Sequence, residues 1–300
     1  MGKDIDWQAM IPGLEVLEGE PMSRHTTFRI GGPARWMLLP ADHDQAGAIL
    51  RLCREEGIKP FFLGNGSNLL VDDAGFDGVI IATAAMNCAV SCGGEDTLYA
   101  DSGVLLPHLA NLAAEAGLSG LEFASGIPGS VGGAVRMNAG AYGGEMSQVV
   151  ERVDYLDEDG ALHTLTGPEC DFSYRHSIFC KNPWLITGAL FRLTQKDPLE
   201  IKGEMAELNR RRREKQPLDY PSAGSTFKRP QAHFAAALIE ECGLKGLTVG
   251  GAQVSQKHSG FVVNLGGATC RDVLALMKKV QDEVLEKTGV WLEPEVEILE

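Results

Sequence analysis

Short apolar runs of strand length recur along the first two thirds of the chain, separated by segments that contain Gly, Pro, Asp or Asn. One run opens a predicted hairpin, 151–166, whose arms alternate apolar and polar residues around a turn at 157–160. The predicted strands cover residues 36–40, 60–63, 78–83, 98–102, 151–156 and 184–193.

Two segments of this region have the periodicity of helices. In the first, Ala46, Ile49, Leu50 and Cys53 fall on one helical face, and the second covers residues 107–116. A glycine after each segment is a natural stop. Strands intermixed with helices predict an α+β fold.

The pattern changes after residue 197, where a charged helix, 201–215, is predicted to end before Pro217. A second unit is therefore expected in the C-terminal third. Its predicted elements are an apolar helix at 234–242, strands near Gln253 and at 261–264, an amphipathic helix at 271–287 and an extended run at 294–299.

Composition and charge exclude several classes of function. The 300 residues are 44% hydrophobic and 23% charged, as in an ordinary globular protein. The formal charge of −14 disfavours nucleic acid as a partner. The sequence shows no signal peptide and no apolar run near the ~20 residues that cross a bilayer, so we expect a cytoplasmic protein without a membrane partner.

The seven cysteines are odd in number and form no CxxC pair, which indicates reduced thiols. Cys88 and Cys92 are the one close pair, and no nearby His or Cys completes a ligand set. We therefore expect no metal site.

Two glycine-rich loops are candidates for phosphate binding, one at 63–70 and one at 126–133. Neither has the spacing of a P-loop or of a Rossmann fingerprint. A single loop of this kind is explained equally well as a tight turn. Two such loops with few charged residues, however, suit a long polyanion such as a dinucleotide pyrophosphate.

These loops, together with His25-Thr26-Thr27-Phe28-Arg29-Ile30-Gly31-Gly32 and the run 138–146, resemble the FAD-binding half of the enolpyruvoylglucosamine reductase family. The resemblance covers the chain from about residue 23 to its end. It implies an α+β fold with a two-part FAD-binding domain of the vanillyl-alcohol-oxidase (PCMH) type at 23–197, preceded by an N-terminal segment, 1–22. A smaller α+β substrate-binding domain would follow at 198–300.

The same resemblance implies which residues bind FAD. Both loops would lie along the pyrophosphate, and a strand near residue 186 would approach the cofactor. The implied cofactor-binding residues are Leu63, Gly64, Asn65, Gly66, Ser67, Asn68, Leu69, Gly126, Ile127, Pro128, Gly129, Ser130, Gly132, Gly133, Ala134 and Ile186.

Three further segments, 174–177, 222–228 and 292–296, match the family pattern in the same order. Taken alone, each is an ordinary surface or turn sequence. The resemblance makes Ser225 the proton donor, and Arg175 with Glu295 the pair that activates the substrate. It also implies substrate-binding roles for Tyr174, Lys215 and Gln253.

The implied reaction reduces UDP-N-acetylglucosamine enolpyruvate with NADPH, and FAD relays the hydride from its N5 atom to the terminal alkene carbon. No segment between residues 174 and 225 has room for the tyrosine-bearing loop of the family's longer type, so we expect the shorter type. We also expect a monomer. Two alternatives stay open: an oxidase or dehydrogenase on the same fold that acts on an alcohol or sugar, and a non-catalytic nucleotide-sugar or flavin binder.

Overall fold

The computed structural model describes residues 5–86 and 88–300 of the chain. Within these ranges, no helix is both long enough and apolar enough to cross a bilayer. The residues group into two compact units, each assembled from three stretches of sequence. The first unit contains Met1–Glu18, Trp36–Asn65 and Gly78–Arg211, and the second contains Gly19–Arg35, Gly66–Asp77 and Arg212–Glu300. The predicted functional boundaries after residues 22 and 197 stay a prediction.

The described residues form the following elements. The α-helices are α1 (Trp7–Met10), α2 (His43–Glu55), α3 (Leu106–Glu115), α4 (Val131–Arg136), α5 (Pro198–Lys215), α6 (Ala235–Glu241) and α7 (Cys270–Thr288). The 3-10 helices are Met22–Arg24, Thr83–Ala85, Glu122–Ala124, Met146–Gln148, Gly167–Cys170 and Ile178–Cys180. The strands are β1 (Glu15–Pro21), β2 (Pro33–Leu39), β3 (Phe61–Leu63), β4 (Leu69–Val71), β5 (Phe76–Ala82), β6 (Val90–Gly94), β7 (Thr97–Asp101), β8 (Leu118–Ser119), β9 (Gly140–Ala141), β10 (Gly144–Glu145), β11 (Val150–Leu156), β12 (Leu162–Thr166), β13 (Leu185–Arg192), β14 (Thr194–Gln195), β15 (Thr248–Val249), β16 (Ala252–Val254), β17 (Val262–Asn264) and β18 (Glu297–Leu299).

The largest sheet lies in the first unit and has the strand order β12-β11-β13-β7-β6, with every neighbouring pair antiparallel. The predicted hairpin is confirmed as β11 and β12, and the side chain of Asp157 accepts hydrogen bonds from two N–H groups in its turn. Strand β13 is buried along almost its whole length, because it lies in the middle of the sheet and α4 packs against it. A second sheet has the order β1-β2-β5-β3, and β3 runs parallel to β5.

Two hydrophobic cores stabilise the first unit. Helix α2 buries the predicted face of Ala46, Ile49, Leu50 and Cys53 in one of them, and Asp42 caps its first turn through the N–H of Gln45 at 2.8 Å. Helices α3 and α4 pack in the other core with the five-stranded sheet. Both predicted helices of this region are therefore confirmed, and α3 lies within one residue of its predicted bounds at each end.

The second unit contains the antiparallel sheet β15-β16-β17, and its strand β18 pairs in parallel with β4. Helix α7 begins at a reciprocal cap formed by Thr269 and Asp272 and ends at Gly289, whose φ is +72°. Its apolar face lies in the core of this unit, which explains why the sequence pattern predicted it well.

The structure corrects the sequence prediction in one functional segment. Residues 126–133 were expected to form a loop throughout, but helix α4 begins at Val131. Ser130 supplies its N-cap, with the Oγ accepting from the N–H of Gly133 at 3.5 Å. Two adjacent glycines hid this short helix, because glycine has low intrinsic helix propensity. Helix α1 and the strands β1, β4, β6, β8, β9, β10, β14 and β15 were also not predicted.

Candidate active site

The two glycine loops approach each other closely in the first unit. The first follows β3, where Leu63 is buried, and the side chain of Asn65 donates a hydrogen bond to the carbonyl of Pro128 at 2.8 Å. A Cβ atom on Gly64 would lie 2.5 Å from the hydroxyl of Ser130. Only a glycine at position 64 therefore allows this approach without a shift.

Some backbone N–H groups of the second loop are bonded within the fold, and others have no acceptor there. The N–H groups of Val131 and Gly132 donate to the carbonyls of Val104 and Ser102, at 2.8 and 2.9 Å. Within residues 5–86 and 88–300, the N–H groups of Gly126, Gly129 and Ser130 donate to no acceptor. Of the predicted cofactor residues, Gly132, Gly133 and Ala134 therefore lie in the helix, and the loop proper is 126–130.

The remaining residues of the first loop belong to the second unit. Gly66 has a φ of +59°, and a Cβ there would lie 2.0 Å from the carbonyl oxygen of His25. That carbonyl belongs to the 25–32 motif, and the N–H of Thr27 donates back to Gly66 at 3.1 Å. Among the described residues, the N–H groups of Gly66 and Ser67 have no acceptor. The 25–32 motif thus fixes the backbone of this loop and leaves the N–H groups of Gly66 and Ser67 without an acceptor.

Arg175 lies in a tight turn of the first unit. The N–H and C=O groups of Ser173 and His176 bond each other in both directions, at 3.0 and 3.1 Å, and leave Tyr174 and Arg175 at the turn. Arg175 has a φ of +54°, a conformation that few non-glycine residues adopt. Its guanidinium lies 5.1 Å from the centroid of the Tyr174 ring and donates to the carbonyl of Gly140 at 3.4 Å.

Asn138 holds this turn in place, a role that sequence reasoning missed. It is fully buried, its amide donates to the carbonyl of Ser173 at 3.0 Å, and its oxygen accepts from the N–H of Ser147 at 2.9 Å. The side chain therefore joins the 138–146 motif to the Arg175 turn. The sequence signal was an amide side chain beside the small residues Ala139, Gly140 and Ala141, but its partner lies 35 positions away in sequence.

The second unit brings the segments that carry Ser225 and Glu295 side by side. An antiparallel bridge joins Phe227 to Pro294, and the N–H of Glu295 donates to the carbonyl of Thr226 at 2.8 Å. Ser225 and Glu295 are both partly buried. In this register Glu295 lies opposite Thr226, and Ser225 directly precedes Thr226 in the chain.

Two contacts fix these segments to the glycine motifs of the same unit. The amide of Asn68 donates to the carbonyl of Glu295 at 3.1 Å, and the hydroxyl of Thr27 donates to the carbonyl of Ser222 at 2.7 Å. The segments that carry the predicted catalytic residues are therefore tied to the predicted cofactor loop and to the 25–32 motif. Leu69, the next cofactor candidate, is buried in β4.

The predicted substrate-binding residues of this unit occupy different settings. Lys215 is exposed at the end of α5. Gln253 lies in β16, and its amide nitrogen donates to the hydroxyl of Thr248 at 3.0 Å. In the first unit, Arg210 and Arg211 pair with Glu207 and lower its pKa to about 2, so this part of the basic run has partners on its own helix.

The remaining candidates are a buried strand residue and two exposed cysteines. Ile186 is buried in β13, opposite Tyr155 of β11. Cys88 and Cys92 are exposed, and the Cys88 thiol donates to the carbonyl of Ala84 at 3.2 Å. Within the described parts of the chain, no group of His, Cys, Asp and Glu side chains is arranged to hold a metal ion.

Family models match both parts of the chain. The FAD binding domain matches residues 34–166, and the C-terminal domain of UDP-N-acetylenolpyruvoylglucosamine reductase matches residues 216–299. A relative of that name from Caldanaerobacter subterraneus subsp. tengcongensis is 49% identical over 93% of this chain and 92% of its own length.

Solved structures agree in fold. The chain is similar to the crystal structure of UDP-N-acetylenolpyruvylglucosamine reductase from Thermus caldophilus, with a TM-score of 0.81, 37% identity and coverage of 96% of this chain and 99% of that one. A berberine-bridge-enzyme-like protein from Physcomitrella patens matches 64% of this chain and 45% of its own, with a TM-score of 0.51 and 13% identity. The second likeness concerns the fold alone and accords with the predicted two-part FAD-binding architecture.

Proposed function

Because the chain belongs to the UDP-N-acetylenolpyruvoylglucosamine reductase family, an FAD-binding family of peptidoglycan precursor synthesis, we propose that it reduces UDP-N-acetylglucosamine enolpyruvate to UDP-N-acetylmuramate with NADPH. The observation that carries this proposal is the bridge that sets Glu295 opposite Thr226, the neighbour of Ser225, on segments tied to Asn68 of a glycine loop.

The glycine loops fit an FAD pyrophosphate. In the first unit, the open N–H groups of Gly129 and Ser130 are donors that suit a polyanion among uncharged side chains. The second unit has donors of the same kind in the open N–H groups of Gly66 and Ser67. FAD, when bound, supplies the hydride that is added to the terminal alkene carbon. The chain itself then has to bind, orient and protonate the substrate.

Arg175 is proposed to bind the substrate carboxylate and to stabilise the negative charge that develops beside it. A guanidinium fixed in a tight turn is preorganised for this task, and a well-aimed donor is typically worth about 3 kcal/mol in the transition state. The Tyr174 ring and the carbonyl of Gly140 restrict the guanidinium. Glu295 is proposed to share that charge stabilisation.

Ser225 is proposed to donate the proton to the carbon next to the carboxylate. A hydroxyl is a weak acid, so this role depends on placement against a strongly basic carbanion. The backbone around Ser225 is well fixed for such a role, since Thr226 bonds Glu295 through its carbonyl and Val262 through its hydroxyl, the latter at 2.9 Å.

The uridine diphosphate portion is proposed to contact Lys215, with Tyr174 and Gln253 as further substrate-binding residues. Lys215 is exposed and retains a mobile cation for the diphosphate. The amide of Gln253 is oriented by Thr248, which would fix the direction of its carbonyl oxygen.

We propose that the chain acts as a cytoplasmic monomer of the family's shorter type, with an FAD-binding domain at 23–197 and a substrate-binding domain at 198–300. Between residues 178 and 215 the chain is occupied by Ile178–Cys180, β13, β14 and α5, which supports the absence of an inserted tyrosine loop. Analytical ultracentrifugation of the purified protein tests the monomer.

The proposed function is tested by following the two half-reactions separately. The flavin is reduced anaerobically with NADPH and then mixed with the enolpyruvyl substrate in a stopped-flow spectrometer. Ser225→Ala is expected to reduce normally but to reoxidise about 10²- to 10⁴-fold more slowly, the range for loss of a general acid.

Ser222→Ala is the matched control in the same loop, because the backbone carbonyl that accepts from Thr27 is unchanged by the substitution. It is expected to match wild type in both half-reactions. Wild-type reduced flavin that ignores the substrate but reacts promptly with oxygen would refute the reductase and favour an oxidase.

A further inference from the structure

A closed loop at residues 255–261 of the second unit surrounds His258. The hydroxyl of Ser255 accepts from the N–H groups of Lys257 and His258, at 3.1 and 3.2 Å. The N–H of Ser255 donates to the carbonyl of Phe261 at 2.8 Å, and the N–H of Phe261 donates to that of His258 at 3.0 Å. The loop is thus fixed at both ends by its own hydrogen bonds.

The His258 ring has a defined protonation state in this loop. Its Nδ1 atom lies 3.2 Å from the backbone nitrogen of Gly260, whose N–H can only donate. Nδ1 must therefore carry the lone pair, and the proton of the neutral ring lies on Nε2. The ring also packs edge-on against Phe261, with centroids 5.0 Å apart.

Gly260 connects this ring to the predicted proton donor. While its N–H is held by His258, its carbonyl accepts from the N–H of Thr226 at 2.9 Å. Thr226 directly follows Ser225, and its own carbonyl accepts from the N–H of Glu295. Glycine has the greatest backbone freedom of any residue, so two hydrogen bonds on opposite sides of Gly260 restrict a position that would otherwise be loose.

We propose that His258, as its neutral Nε2–H tautomer, is a positioning residue that fixes Gly260 and through it the segment that carries Ser225. A doubly protonated ring cannot accept from Gly260, so protonation of His258 releases this constraint and slows proton donation by Ser225. The inference rests on the proposed role of Ser225.

The surroundings of His258 keep the ring neutral near neutral pH. Burial is the largest influence on its pKa and lowers it, and the charges of Lys245 and Lys215 act in the same direction, while a hydrogen bond to the backbone of His258 itself and the charge of Glu240 oppose them. Lys245 is itself paired with Glu240 at 2.6 Å, which weakens both influences. Loss of the hydrogen bond from Gly260 is therefore expected only on the acid side of about pH 6.5, the ordinary histidine pKa.

Two variants of the holoenzyme separate positioning from simple packing. His258→Asn places an oxygen where Nδ1 stood, so it retains an acceptor for Gly260 but cannot titrate. His258→Leu removes the acceptor. The rate of flavin reoxidation by substrate is measured from about pH 5 to about pH 8, with reduction by NADPH as the internal reference.

Wild type is expected to lose reoxidation rate on the acid side, and His258→Asn to keep its neutral rate without that acid loss. His258→Leu is expected to be slower at every pH than wild type at neutral pH, by about 10- to 100-fold, the scale for a small misplacement of a catalytic group, and wild type is expected to approach this rate in acid. A purely structural role predicts the same acid loss in wild type and His258→Asn, and that result would overturn the proposal.

Nitrogen NMR of the wild-type imidazole gives a second readout that does not involve catalysis. The proposal requires an unprotonated Nδ1 and a protonated Nε2 near about pH 8, and a proton on Nδ1 at that pH would overturn it even if His258→Leu failed to fold. If Ser225→Ala reoxidises normally while the tautomer is as expected, the proton-donor assignment fails and the geometry of His258 stands.

Discussion

Gly64→Ala should destabilise the first unit through one identifiable contact. Its new Cβ would lie 2.5 Å from the Ser130 hydroxyl, but 3.7 Å from the Cβ of Ser130, which is an ordinary contact. Ser130 is 3% exposed, so the hydroxyl has little room to move except by leaving its cap of helix α4. Overpacking of this kind typically costs 1–3 kcal/mol, and we expect about 2 kcal/mol.

The same geometry predicts that Ser130→Ala rescues Gly64→Ala. Ser130→Ala alone should cost about 0.5 kcal/mol, at the low end for an N-cap, because its bond to Gly133 is long at 3.5 Å. The double variant then loses the clash as well as the cap. Its free energy of unfolding should be close to that of Ser130→Ala, a coupling of about 2 kcal/mol in a double-mutant cycle.

Equilibrium urea unfolding of the four proteins measures this coupling. Gly203→Ala is the matched control, because Gly203 lies inside helix α5 with nothing within 4 Å of its added Cβ. That substitution should stabilise the protein by about 0.5–1 kcal/mol. Additive effects of Gly64→Ala and Ser130→Ala would refute the claim that the two loops are held in this close approach.

Two further predictions concern charge. Arg175→Lys should slow flavin reoxidation by substrate about 10²- to 10³-fold while leaving reduction by NADPH unchanged, since an ammonium cannot replace the fixed guanidinium; equal slowing of both half-reactions would contradict this. Asp272 accepts from the N–H groups of Thr269 and Gly251, which lowers its pKa below 3.8. Its carboxylate therefore stabilises the fold above that pH and loses this contribution as pH falls through the lowered pKa, so thermal unfolding of wild type and Asp272→Asn should differ near neutrality and converge in acid.

The parts of the fold that sequence predicted well are those whose signal is local. Helix α2 and helix α7 have an apolar stripe, so both could be located, and α7 also has a reciprocal cap and a terminal glycine, so its ends could be predicted closely. Strand β4 was missed because its three residues follow a glycine loop, and its partner β18 lies more than 220 positions later. A strand that exists only through such a distant partner leaves little periodicity in the sequence.

In the candidate site, too, local sequence features could be predicted and long-range contacts could not. Its residue types and order carried the family resemblance, whereas the contacts that position them depend on distant segments: Asn138 with Ser173, and Gly260 with Thr226. No pattern in one sequence reports such pairs, because each polar group is equally compatible with a solvated loop when its partner is unknown.

The strained backbone near Arg175 also depends on contacts between distant segments. Asn138, Tyr142, Asp171 and Arg175 all have positive φ angles without being glycine, although the left-handed region disfavours a side chain. Such strain persists only where surrounding contacts fix the backbone, and here the buried amide of Asn138 and the doubly bonded turn at Ser173 do so. A glycine at each position would relieve the strain but would remove the guanidinium of Arg175 and the amide of Asn138. These side chains are therefore kept in a strained backbone conformation that the surrounding contacts stabilise.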